Sequence, residues 1–154
     1  MARIYLKILE IEDIELKQKR IEPHIFNRIY ATVGYKAKDS FSYEEGLVDT
    51  GAIVSLLPKM VWKKLMVEPL GHHQIKGIVK KNECALPVMI AKVTCKLLDE
   101  FGNESSEFNS IVYCAESDDV PVILGLKGIL DKLNLHILFD KNKAYLEEPR
   151  KSSH

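Results

Sequence analysis

Apolar and polar positions alternate along most of this chain. From Ile29 the order Ile-Tyr-Ala-Thr-Val-Gly-Tyr-Lys-Ala puts Ile29, Ala31 and Val33 on one face of a strand. The polar corner Lys38-Asp39-Ser40 separates it from Phe41-Ser42-Tyr43, so the pattern predicts a hairpin. After Gly46, Leu47-Val48 predict a short buried strand that leads into Asp49-Thr50-Gly51, where glycine permits a sharp reversal, and 53–57 resume an apolar extended run. Pro58 suits the first turn of a helix. Met60, Val61, Trp62 and Leu65 recur at helical spacing until Glu68-Pro69, which predicts one short helix with Met60, Trp62 and Leu65 toward the core.

Two apolar runs, 75–79 and 86–93, flank Lys80-Lys81-Asn82-Glu83 and predict a second hairpin with a solvated tip. A polar turn over 99–106 holds Gly102-Asn103, and 108–114 and 120–124 are β-branched-rich strands joined by Glu116-Ser117-Asp118-Asp119. Residues 126–133 can form a short helix. Residues 135–139, a turn at Asp140-Lys141-Asn142 and Ala144-Tyr145-Leu146 read as a closing hairpin. The polar ending 149–154 is expected to be disordered.

Composition narrows the possibilities. A chain of 154 residues, 46% hydrophobic and 29% charged, suits one soluble domain with its own core. Twenty-two basic residues balance twenty-two acidic ones, so no long-range field favours nucleic acid or a membrane surface, and neither is expected as a partner. Cys84, Cys95 and Cys114 are an odd set without metal-knuckle or disulfide spacing, and are expected as small buried hydrophobes in a reducing cytoplasm. The apolar start, Ile4 to Leu9, is interrupted by Lys7, closed by Glu10 and lacks a small-residue cleavage site, so no export signal is read there. No apolar run approaches the roughly 20 residues of a membrane helix. His72-His73 read as a solvated loop; no recognised spacing joins them to Cys84 as metal ligands.

One tripeptide carries chemistry. Average composition would place an Asp-Thr-Gly in a chain this long roughly 3% of the time, so the context has to decide. Here Val48-Asp49-Thr50-Gly51-Ala52 follows an apolar pair and precedes Ser55-Leu56-Leu57 and a short helix. Far downstream Val122-Ile123-Leu124-Gly125 stands before the candidate helix and the closing hairpin. The two segments together resemble the active-site motif and the later hydrophobic-hydrophobic-Gly strand of the retropepsins. The likeness is nearer to the cellular retroviral-protease-like domains of the DNA-damage-inducible type than to viral enzymes.

That resemblance implies a mainly β fold, a small closed barrel with one or two short helices, in a two-fold symmetric homodimer. It runs from about Ile25 to about Glu148, leaving 1–24 as an extension of strand or loop and 149–154 as a tail. It further implies an aspartic endopeptidase that hydrolyses an extended peptide. Two carboxylates about 3 Å apart cannot both ionise, so one keeps a proton while the other serves as general base toward water. Neither metal nor other cofactor is needed. Of eight aspartates only Asp49 is followed by Thr-Gly, so the second carboxylate has to come from another copy.

By the same resemblance Thr50 would hydrogen-bond across the axis, and Gly51 and Ala52 would complete the active-site loop. Gly77, Ile78 and Val79 would belong to a flap closing over substrate, and Ile53, Val54, Ile78 and Ile123 would line apolar subsites. The pattern also departs from the viral one. Acidic residues after Asp-Thr-Gly-Ala and an arginine after the downstream glycine are replaced by Ile53, Val54 and Leu126, and the flap tip is not glycine-rich. A retropepsin-like dimer that binds peptides or proteins without cutting them is the alternative expectation.

Overall fold

Half-buried strands need one apolar face and one polar face, and the stretch Ala91-Lys92-Val93-Thr94-Cys95-Lys96-Leu97 supplies both. In the computed structural model, which describes residues 3–76 and 85–150, it lies in β7 (Leu86–Leu98), with Ala91, Val93, Cys95 and Leu97 buried. The remaining strands are β1 (Ile4–Tyr5), β2 (Lys7–Glu12), β3 (Ile25–Lys36), β4 (Phe41–Val48), β5 (Ser55–Leu57), β6 (Val67–Ile75), β8 (Phe108–Ala115), β9 (Ile123–Leu124), β10 (Asn134–Leu138) and β11 (Lys143–Glu147). Two short helices, α1 (Ile14–Gln18) and α2 (Lys59–Trp62), complete a mainly β fold.

Among the described residues one sheet has the order β2-β3-β4-β9-β5-β8-β7-β6, with β3 also paired to β7; a second has the order β1-β11-β10. The β3–β4 pairing, Tyr30 with Leu47 through Lys36 with Phe41, is the first hairpin read from the sequence. Ala31, Val33 and Tyr35 on β3 join Leu57, Val93, Cys95, Leu97, Val112, Cys114, Leu124, Ile129 and Leu146 in the main core. β2 pairs with the outer half of β3, from Lys7 with Tyr30 to Glu12 with Ile25. Ile4 on β1 is buried in the main core.

β7 serves two clusters. Ala91 faces the main core, while Val88, three residues earlier and therefore on the opposite face, joins Leu56 and Ala115 in a smaller cluster. The Asp99 carboxylate ties the following turn to the terminal sheet. It accepts hydrogen bonds from the backbone of Tyr5 at 2.8 Å, Phe101 at 2.9 Å and Asn103 at 3.0 Å. Burial raises its pKa, but these bonds and one from the Asn103 side chain outweigh burial, and the net shift is downward.

The structure departs from the sequence pattern at four places. Helix α2 is a single turn; its buried residue is Val61, whereas Met60 is 63% exposed. Leu65 is buried beyond the helix, bridged to Ala37. The predicted strand 120–124 shrinks to Ile123–Leu124, because Pro121 has no N–H to give a ladder. The predicted helix 126–133 is reduced to a 3-10 turn at Leu130–Lys132: Gly128 is left-handed (φ +84°), and the N–H groups of Leu126 and Lys127 bond to Ala52 and Ile53. His72 and His73 lie in strand β6, not a loop. β6 is the last strand in its sheet order, where Pro69 costs no inner ladder bond, and the register shifts between Pro69 and Gly71.

Candidate functional site

The site is built where three strands cross in sequence but not in space. β9 lies between β4, to which it is parallel (Leu47 with Ile123, Val48 with Leu124), and β5, to which it is antiparallel (Leu56 with Ile123). The chain therefore has to leave β4, pass over the end of β9 and re-enter as β5, and Asp49 to Val54 form that passage. Glycine and small polar residues are what so tight a path requires.

Both ends of the passage are anchored. The Asp49 N–H donates to the Leu124 carbonyl at 3.0 Å, and the Ala52 N–H donates to the Asp49 carbonyl at 3.1 Å. The Leu126 N–H reaches the Ala52 carbonyl at 2.9 Å and the Lys127 N–H reaches the Ile53 carbonyl at 2.8 Å. Fully buried Ser55 accepts the Gly125 N–H on its Oγ at 3.0 Å. Gly125 is required sterically: a Cβ there would stand 2.6 Å from the Val54 carbonyl carbon and 2.9 Å from the Ala52 oxygen. Gly46 has a similar reason, since its Cβ would fall 2.6 Å from Leu124 Cγ.

This frame presents one carboxylate. Asp49 is half-buried, and its Oδ1 accepts the Gly51 N–H at 2.9 Å, fixing the side chain against its own turn. A Cβ at residue 51 would stand 3.2 Å from that oxygen, so glycine keeps the carboxylate uncrowded. Thr50 and Gly51 are exposed, and Ile53 is 76% exposed at the same tip.

Beside the turn opens a cleft of about 380 Å³. Gly51, Ala52, Ile53, Val54 and Ile123, singled out from the sequence, all border it. So do Leu56, His73, Ile75, Lys76 and Tyr113, which sequence reasoning missed. Hollows of about 470 Å³ beside β2 and about 500 Å³ beside α1 are larger, but neither borders Asp49-Thr50-Gly51. The cleft floor is the smaller apolar cluster, in which Ile75, Tyr113 and Ile123 pack on buried Leu56, Val88 and Ala115. Gly77, Ile78 and Val79, together with the expected flap tip Lys80-Lys81-Asn82-Glu83 and Cys84, lie outside the described residues, as does most of the expected tail 149–154.

Neither protein-family profiles nor curated protein sequences match this chain. Among solved structures it is similar to a retropepsin-like aspartic protease from Rickettsia conorii, at 15% identity and a TM-score of 0.45, over 94% of this chain and 92% of that one. At this level of similarity the site has to be read from the chain's own geometry. Among the described residues no helix is long and apolar enough to cross a membrane.

Proposed function

We propose that the chain is one subunit of a homodimeric aspartic endopeptidase, with Asp49 as its single catalytic carboxylate. The observation that carries this reading is the setting of Asp49. Its carboxylate is held by the Gly51 N–H at the partly exposed tip of a doubly anchored turn, and a mainly apolar cleft begins at the next residues. A lone carboxylate can take a proton from water but cannot at the same moment donate one to the carbonyl oxygen that becomes negative. A second Asp49, brought alongside by a two-fold axis, completes the pair.

In that pair one proton is shared, because two anions at such range repel. The ionised carboxylate takes a proton from water as the water oxygen attacks the scissile carbonyl, and the protonated one gives its proton to the carbonyl oxygen, forming a gem-diol. The first carboxyl then passes its proton to the amide nitrogen as the C–N bond breaks, while the second takes one back from a gem-diol hydroxyl, leaving an acid and one shared proton. Thr50 would steady the two loops across the axis. Exposed Ile53 and Leu126 would be covered in the dimer or by substrate, in place of the charged pair of viral relatives. The β3–β7 pairing would round the main sheet into a small barrel that holds the turn rigid. The unit is proposed as 25–148, preceded by 1–24 and followed by a tail, and acting in the cytoplasm.

Asp49→Asn keeps the turn's shape but cannot share the proton. Cleavage of a peptide library should fall by at least about a hundredfold, with dimer retained, and a statine-type mimic of the tetrahedral intermediate should inhibit the unmodified enzyme. Unchanged cleavage in Asp49→Asn would exclude the mechanism. The retropepsin-like binding module is the second reading, favoured by the exposed apolar Ile53 and Leu126. It prevails if the dimer binds library peptides and cuts none between acid and neutral pH.

A further inference from the structure

The cleft has a charge asymmetry that the whole chain lacks. Lysine and arginine balance aspartate and glutamate overall. The described lining of the cleft, in contrast, has one charged side chain, Lys76, with the polar ring of His73 beside it, and no carboxylate. His73 and Ile75 alternate on one face of β6, and Lys76 follows directly at the strand's end. The His73 ring is tilted against Tyr113, centroids 5.7 Å apart, which restricts it to the wall of the cleft. Next to these groups stand Leu56, Ile75 and Ile123, whose packing leaves an apolar floor. The result is an apolar recess with a cationic, hydrogen-bond-donating edge.

We propose that this cleft selects extended peptides in which an acidic side chain flanks an apolar one, the apolar side chain on the floor and the carboxylate against Lys76, with the His73 ring beside it. Lys76 supplies charge, and the His73 ring supplies a directed donor. The assignment rests on reading the cleft as the peptide site of the proposed peptidase.

The test uses full-length dimer and octapeptides with a central Leu-Leu pair, identical except for Glu, Gln or Lys at each flanking position in turn. Binding is measured by fluorescence anisotropy to Asp49→Asn, and cleavage by mass spectrometry with the unmodified enzyme. At one or two flanking positions Glu should bind about fivefold tighter than Gln, an effect of the size exposed ion pairs give, and should lower KM rather than raise kcat. The ratio should shrink as salt rises. Lys76→Glu should invert the preference toward Lys, and His73→Gln should reduce it without inversion. Both residues are exposed, and a thermal melt of each variant checks that the fold is kept.

Equal binding of the Glu, Gln and Lys peptides would overturn the inference, as would a Glu preference left intact in Lys76→Glu. Cleavage without any acidic preference would remove this inference and leave the peptidase standing. Acidic preference in binding without cleavage of any peptide would remove the peptidase and leave the cleft's selectivity standing.

Discussion

At the scale of single residues, the site depends on a few positions with no substitute. Gly125 is pressed against the backbone of Val54 and Ala52, where no side chain can withdraw to make room. Gly125→Ala should therefore displace the passage holding Asp49, costing about 1–3 kcal/mol of stability and most activity. Ser55→Ala isolates the buried Gly125 N–H and should cost roughly 1–3 kcal/mol, with a smaller loss of activity because the steric frame survives. Chemical denaturation and peptide cleavage on both variants check this; a Gly125→Ala variant as stable and active as the parent would contradict it. Asp49, Gly51 and Gly125 were visible in the sequence as parts of two motifs, and the backbone crowding at Gly125 gives that glycine a steric reason. His73, Lys76 and Tyr113 were not, because their convergence depends on the register of β6, β7 and β8, which local pattern does not encode.

At the scale of elements, most alternating strands and the start of α2 were readable, whereas the lengths of the helices and the strand β6 were not. The 3.6-residue spacing of Met60, Val61, Trp62 and Leu65 is real, yet only one turn forms. Leu65 is held in place by its bridge to Ala37, and the Trp62 indole N–H is held by the Ala115 carbonyl at 2.7 Å. Tertiary contacts outweighed propensity there. β7 and β8 also bury Cys95 and Cys114, and burial pushes each thiol up to about 12. An acid whose folded pKa is raised contributes stability that is complete below its unfolded value, near 9.0. That stability is lost as pH climbs toward the folded value. Stability should thus decline above about pH 9, and buried Tyr35, also raised by desolvation, adds to the decline. At pH 8 no more than one of the three thiols should react within minutes with an aromatic disulfide reagent, and all three should react in denaturant. Two fast thiols in the native protein would contradict the buried placement.

At the scale of the molecule, the proposed function makes the chain half of a catalytic device. Half-buried Asp49 sits at a turn with exposed Thr50 and Ile53 beside it, and the cleft borders that turn at Gly51. The mainly β class follows from patterning that reads well in one dimension. The proposed partner does not, because symmetry would leave no mark in a sequence beyond the solitary Asp-Thr-Gly. If two copies share one proton across an axis, activity belongs to the pair and neither subunit has any alone.

Subunit mixing measures this most directly. Unmodified chains are equilibrated with Asp49→Asn chains at constant total concentration, and cleavage is recorded against the unmodified fraction. With one carboxylate from each subunit, activity should follow the square of that fraction, falling to about one quarter at equal mixing. A linear dependence, with half the activity at equal mixing, would mean that each chain works on its own and would contradict the account.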